Sequence, residues 1–402
     1  MTNKRIMIIG AGWEQVPLIK KAKEMGCWVL ATHGFDNAEG FEFADASEVL
    51  DPRDAAKAIK LFKSYNIDAV TADNCDYALY TVGIICQKFK LPGPNFAAIS
   101  NANNKKKSRM ACREAGINQP DFAICNNYND LVQGVPAVGG YPVIVKPVDN
   151  RGNFGINKVE NDSELEEAFY DAVVNSHSRE IIVEKFIEGT MMTVDGFCFN
   201  RGKHVSLALA SKKMLGGKRR VAIEIIYPGD FSQEIITKAM AINDQVAKAL
   251  SYDFGYTHSE YLVDEKGEIW LVESTNRGGG VYTSSLIDPA VTEIDLLKCL
   301  IQSACGEPVD VEPMTDSPMK NCAILSFFKF ENGKIKIITG LDEVRSWPGV
   351  LRCDLSVKPG QIIESITTDA NRHGFAVIVA ADKLSAHTLL KNIKEKVKLE
   401  YE

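Results

Sequence analysis

Two acids, two lysines, an arginine and a glycine-bearing loop are the residues of this chain whose types and order could do chemistry together. Glu260 opens the apolar segment 260–263, and Glu273 follows the apolar segment 269–272. Between them lies Asp264-Glu265-Lys266-Gly267, a set of turn residues that reads as a hairpin. If both side chains point to one face, they can share one or two divalent cations. Magnesium takes carboxylate oxygens and keeps waters and phosphate oxygens as its other ligands. Bare, two acids on one buried face repel, and a lone carboxylate ending Ile269-Trp270-Leu271-Val272 is costly. Arg277 stands four residues beyond Glu273, with Thr275 and Asn276 between and Gly278, Gly279 and Gly280 after it. Its planar fork suits a carboxylate or a phosphoryl group in transfer.

The cations come from elsewhere in the chain. Lys105 follows Asn104 at the start of a helical segment that ends near Ala115-Gly116. Lys146 lies in Pro142-Val143-Ile144-Val145-Lys146-Pro147, a strand that runs into a loop containing Gly152, Asn153 and Gly155. A triphosphate needs such cations, together with backbone N–H groups that glycine lets close over it. A further strand, 182–187, runs into Gly189. Singly these features are ordinary: a strand lysine is usually a solvated edge, and a glutamate pair in a hairpin is usually an exposed face. Their order and spacing together argue for one site.

The elements that must position them follow from periodicity. Segments 5–10, 27–32 and 69–72 read as buried parallel strands, with helices at 15–25 and 52–65. That alternation predicts a small parallel sheet covered by helices on both faces. A helix over 105–115, a strand at 142–147, a helix over 163–175 and a strand at 181–184 come next. From Gly189 to Glu273 the pattern turns to strands, including 194–199, 205–210, 260–263 and 269–272. Pro308, Pro313 and Pro318 mark a linker over 306–318. Strands at 323–328 and 375–380 follow, then a basic amphipathic helix to the C-terminus. The fold class expected is therefore a multidomain α/β and α+β protein. The stretch 211–220, rich in lysine and glycine, reads as a surface loop or a cationic lid.

Composition narrows the function. The chain has 402 residues, too many for one ordinary core, and is 45% hydrophobic and 25% charged. A net charge of −7 offers no basic field for nucleic acid, and the run 6–9 is too short to span a membrane. Ten dispersed cysteines without a Cys-x-x-Cys pair exclude an ordinary zinc site and read as buried thiols of a cytoplasmic protein. Gly10-Ala11-Gly12 after a strand resembles a dinucleotide fingerprint, but the third glycine would fall on Gln15, so a tight turn explains it better. His258 lies two residues before Glu260 and reads as a core histidine rather than a base.

On these motifs the chain resembles the ATP-grasp superfamily, and within it the carboxylate–amine ligases that include L-amino acid ligases and relatives of carbamoyl-phosphate synthase. The resemblance implies a parallel α/β pre-ATP-grasp domain over 1–103, an ATP-grasp domain over 104–305 and a small α+β cap over 306–402. It implies that main-chain groups of Glu184, Lys185, Phe186 and Ile187 hold adenine. Lys105, Lys146, Gly152, Asn153 and Gly155 would hold the triphosphate, with Lys146 and Arg277 taking part in catalysis. Glu260 and Glu273 match the metal carboxylates, and Arg277 matches the arginine of the Glu-x-Asn-x-Arg signature. The signature's asparagine falls on Thr275, with Asn276 one place later, so either could be the third ligand. The acid that binds ribose would fall on Met191, leaving Glu188 as its substitute. ATP with magnesium, or manganese in its place, would serve a small-molecule carboxylate and an amine, in a homodimer without nucleic-acid or membrane partners. Two other readings stay open at this point: a small-molecule phosphotransferase, and an ATP-binding regulatory protein without turnover.

Overall fold

Alternating apolar residues turn the first short segments into a two-sided sheet. The computed structural model describes residues 3–150, 154–199, 202–216, 221–309 and 319–402. Strands Arg5–Ile9, Trp28–His33, Ala46–Val49 and Ala69–Thr71 pair in parallel, with the first strand between the second and the fourth. Ile6 and Ile8 pack on helix Val16–Glu24, while Met7 and Ile9 face the side of helices Ala55–Ser64 and Ala78–Phe89. Helices therefore cover both faces, as the alternation requires. The strand order reverses beside the first strand, so the loops after Ile9 and Thr71 meet in one crevice, the usual place for a ligand in such sheets.

Helix Lys105–Glu114 leads into a four-stranded antiparallel sheet of Phe122–Cys125, Ile181–Lys185, Val143–Pro147 and Asn157–Val159. Helices Tyr128–Ala137 and Asp162–Val174 cover it.

An eight-stranded sheet carries the rest. Its order is Ile269–Thr275, Gly255–Val263, Thr190–Phe199, Lys203–Leu215, Val221–Tyr227, Cys322–Phe327, Gly374–Ala380 and Val350–Leu355. Helix Gln233–Ala249 packs Ile236, Ala239 and Val246 against Met192, Val194, Leu209 and Leu271 on one face. The sheet runs without a break into the C-terminal strands, because Val221–Tyr227 pairs directly with Cys322–Phe327.

Three expectations need correction. Residues 233–249, inside the segment expected to be strands, form the helix Gln233–Ala249. Residues 211–215 continue strand Lys203–Leu215 and are not loop; residues 217–220 lie outside the described set. The final helix stops at Lys396, where Val397 turns extended and is buried, and Lys398–Tyr401 pairs with Gly333–Thr339. Most of the proline-marked linker, 310–318, also lies outside the described residues. All ten cysteines are free thiols. Among the described residues, no helix is long and apolar enough to cross a membrane.

Candidate active site

The hairpin of Gly255–Val263 and Ile269–Thr275 is regular near its turn, where Val263 pairs with Ile269 and Tyr261 with Leu271. The register then shifts, and Glu260 pairs with Glu273. Val272 is the extra residue. Without this bulge Glu260 would face Val272, and Glu273 would point to the opposite side of the sheet. With it, Leu271 stays in the core beneath helix Gln233–Ala249, while Glu273 shares the face of Glu260.

A buried arginine holds the bulge. Arg109 donates to the carbonyls of Leu271 and Val272 at 3.0 and 2.8 Å and pairs with Glu184 at 2.8 Å. Glu184 also pairs with Lys146 at 2.8 Å, and all three side chains are buried. Burial alone would raise the Glu184 carboxyl, but Arg109 and Lys146 outweigh it and bring its pKa down to about 2. Lys146 moves down as well, because burial is only partly offset by Glu184, while Arg109 and Lys105 repel it. The two cations share a single carboxylate, which is therefore fully matched while Lys146 is only partly compensated for its burial. Arg109 was not singled out from sequence, although its place one helical turn after Lys105 was the available signal.

Lys105 joins this group to the acids. Its Nζ lies 2.9 Å from Glu273 and donates to the carbonyl of Asn150, at the start of the glycine loop, at 2.7 Å. On the far side, Lys212 Nζ lies 2.5 Å from Glu260. Burial pushes Glu260 up, but Lys212 and His258 hold it well below the usual carboxylate range. His258 donates from Nδ1 to Asp195, 2.6 Å away, with its Nε2 3.9 Å from Glu260. Tyr227 donates to the second oxygen of Asp195 at 2.9 Å. His258 is thus a partnered histidine on the face of the acids.

Arg277 pairs at 3.2 Å with Asp76, in the turn after strand Ala69–Thr71, and donates to the Gly278 carbonyl at 2.7 Å. Asp76 also accepts from the Thr275 hydroxyl at 3.0 Å. Because the strand extends through Thr275, alternation places Thr275 on the face of Glu273. Asn276 follows the strand and donates its amide to the carbonyls of Phe254 and Tyr256 at 2.8 and 2.9 Å. Its Oδ1, the atom that would meet a metal, is buried without a hydrogen-bond partner among the described residues, while Thr275 stands beside the acids.

The remaining residues sit along the hinge and the loop. Lys185 N–H donates to Asp121 and Phe186 N–H to Pro142, at 2.9 and 3.2 Å, while Lys185 Nζ reaches the carbonyls of Gly139 and Gly140. The Ile187 N–H makes no backbone hydrogen bond among the described residues. Gly155 has φ +73°, and a Cβ there would lie 2.8 Å from Asn175 Cβ, so the end of the loop needs glycine. Gly152 and Asn153 lie outside the described residues. Met191 is buried opposite Leu262, and Glu188 is exposed.

A metal fits this face chemically. The two acids that would repel are each matched to a lysine, and a shared divalent cation would supply the same positive charge.

Residues 139–285 match the ATP-grasp domain family, and residues 326–402 match the L-amino acid ligase C-terminal domain 2. Over these two segments the chain is similar to ATP-grasp domains and to the C-terminal domain of L-amino acid ligases, in that order along the sequence. It is 27% identical over 343 residues to the uncharacterized protein y4rH of Sinorhizobium fredii, covering 84% of this chain and 69% of that one. Its fold matches the L-amino acid ligase of Bacillus licheniformis with a TM-score of 0.85, at 21% identity and 100% of both chains. It also matches the biotin carboxylase domain dimer of Hydrogenobacter thermophilus 2-oxoglutarate carboxylase, solved with MgADP, ADP and bicarbonate. There the TM-score is 0.80, at 18% identity over 99% of this chain and 90% of that one. At such identities the likeness is one of fold.

Proposed function

We propose that this chain uses Mg-ATP to convert a small-molecule carboxylate into an acyl phosphate, which an amine then captures as an amide. The observation that carries the reading is the cross-strand pair Glu260 and Glu273, with Lys105 joining it to the glycine loop. Main-chain groups of Glu184 to Ile187 would hold adenine, and Lys105, Lys146 and the loop through Gly155 the triphosphate. Glu260 and Glu273, with Thr275 nearby, would hold magnesium, or manganese in its place. Bound there, the cation neutralises charge on the phosphate oxygens.

A carboxylate oxygen attacks the γ-phosphorus, the bond to the β-phosphate oxygen breaks, and ADP leaves. Arg277 orients the carboxylate with its fork, and Asp76 fixes the rotamer of that arginine. The amine nitrogen then attacks the acyl carbon, the bond to phosphate breaks, and the nitrogen loses a proton. No protein nucleophile is required. The three-unit division at 103/104 and 305/306, a homodimer and a cytoplasmic setting belong to the same proposal.

Mg-ATP at a hundred times its Kd should stabilise the fold by about 2.7 kcal/mol, read as a rise in Tm. No shift at millimolar Mg-ATP would remove the nucleotide site. Hydroxylamine, a small strong nucleophile, should trap the activated carboxylate as a hydroxamate, in step with ADP release. ADP formed with a carboxylate but without trappable acyl species would make the chain a phosphotransferase or an ATPase.

A further inference from the structure

The N-terminal glycine turn takes no part in the chemistry described above, and its own side chains close it to a pyrophosphate. Gln15 accepts from Gly12 N–H at 3.0 Å and donates to the Asp73 carbonyl at 3.1 Å, filling the turn. The two residues before it reach outward instead. Glu14 accepts from Val281 N–H at 2.5 Å, and the Trp13 carbonyl accepts from the Tyr282 hydroxyl at 3.3 Å. Val281 and Tyr282 lie on the loop after Arg277, and Glu14 is within electrostatic reach of that arginine.

Three rings meet here, one from each unit of the chain. The Trp13 ring meets Tyr282 edge-on at 4.9 Å and stacks at 6.0 Å on Phe375 with a 26° tilt, with Tyr282 and Phe375 5.9 Å apart. Tyr282 is buried and Phe375 half-buried, whereas Trp13 is 39% exposed. Indole is the largest apolar side chain, and this one is left open in the crevice where the strand order reverses. Val281 and Tyr282 both have left-handed backbone, φ +53° and +63°. A β-branched residue rarely adopts that conformation, and such strain clusters at binding sites whose surroundings hold it in place.

We propose that Trp13 determines substrate specificity. Its open ring, backed by Tyr282 and Phe375, is the wall against which the carboxylate substrate lays an apolar, preferentially aromatic side group, while Arg277 takes the carboxylate end. This rests on the ligase reading. Aromatic rings pair edge-on or offset with further rings, so the open face favours a ring over an alkyl chain of similar size.

The test uses the full chain with Mg-ATP and hydroxylamine, comparing phenylalanine and phenylacetate with glycine and acetate. The wild-type protein should favour the aromatic pair in kcat/KM. Trp13→Ala should shrink that preference by at least about tenfold, the scale of losing an apolar contact in a pocket. Trp13→Phe should restore most of it. Calorimetric Kd values for the same carboxylates, with Mg-ADP present, should show the same loss and rescue. Equal losses on all four carboxylates, no loss, or no aromatic preference in either assay would overturn the proposal. Aromatic carboxylates that bind through Trp13 but yield neither ADP nor hydroxamate would overturn the ligase reading and leave the wall standing.

Discussion

Glu273→Gln is expected to lower ADP formation by at least about a thousandfold while leaving the fold in place. The substitution keeps the size and shape of the side chain and removes its charge. Glu273 is the acid that Lys105 links to the glycine loop, and it faces Glu260 directly across the hairpin. Losing that charge weakens the hold on a cation that must work against phosphate repulsion. Stabilisation of that kind is worth several kcal/mol, and about 4 kcal/mol corresponds to a thousandfold in rate. The fold should survive because the Glu273 side chain is partly exposed, and because the bulge beneath it is pinned by Arg109 rather than by the acid. Coupled measurement of ADP release, beside a thermal melt, decides the matter. Near-normal turnover would remove Glu273 from the metal site, and a collapsed melt would make its role structural.

The second large effect concerns stability. Glu184→Ala strands Arg109 and Lys146 in the interior with no carboxylate between them. Removing one partner from a buried ionic group costs about 3–5 kcal/mol, because charge is left uncompensated away from water. Denaturant unfolding should therefore show the variant less stable by that amount at neutral pH. The acid dependence gives a second check. A glutamate titrates near 4.3 when unfolded, and Glu184 is held at about 2 when folded. A depressed carboxyl contributes stability that is fully present above the unfolded pKa and fades as pH falls through the folded one. The gap between variant and wild type should thus be widest above about pH 5 and narrow between about pH 4 and pH 2. The downward shift of Lys146 offsets part of this contribution, so the midpoint of the fade is a firmer readout than its amplitude. Equal stability at neutral pH, or parallel acid profiles, would mean that the three charges are independent.

Much of the site was legible before any coordinates. Lys105, Lys146, Glu260, Glu273 and Arg277 could be picked out because phosphate chemistry needs cations, carboxylates and glycine at set places along strands and loops, whereas Glu184 entered through the resemblance for its main-chain groups and its side-chain role was not foreseen. Lys105, Lys146, Glu184 and Glu273 meet in one charged network with Arg109. Glu260 lies across the hairpin from Glu273, and Arg277 lies at the end of the same strand. Arg109 escaped notice because an arginine in a basic helical segment looks like surface charge, and nothing local shows that two carbonyls and an acid from distant strands surround it. Lys212 was mistaken for loop because its lysine- and glycine-rich neighbourhood resembles a loop, although it pairs with Met191 and Ile225 on the preceding and following strands.

By itself, the sequence determined the parallel N-terminal sheet, the hairpin around residues 264–267 and the residue types of the site. Each depends on local periodicity or turn chemistry. Only the tertiary structure decided which way Glu273 points. Alternation along two strands cannot reveal an extra residue in one of them, and the bulge at Val272 reverses the face of everything after it. The structure likewise placed Thr275 on the strand and Asn276 just beyond it, since that depends on where the strand ends. It also gave Trp13 and Glu14 their partners, because those partners lie nearly 270 residues away in the chain and are joined to them only by packing.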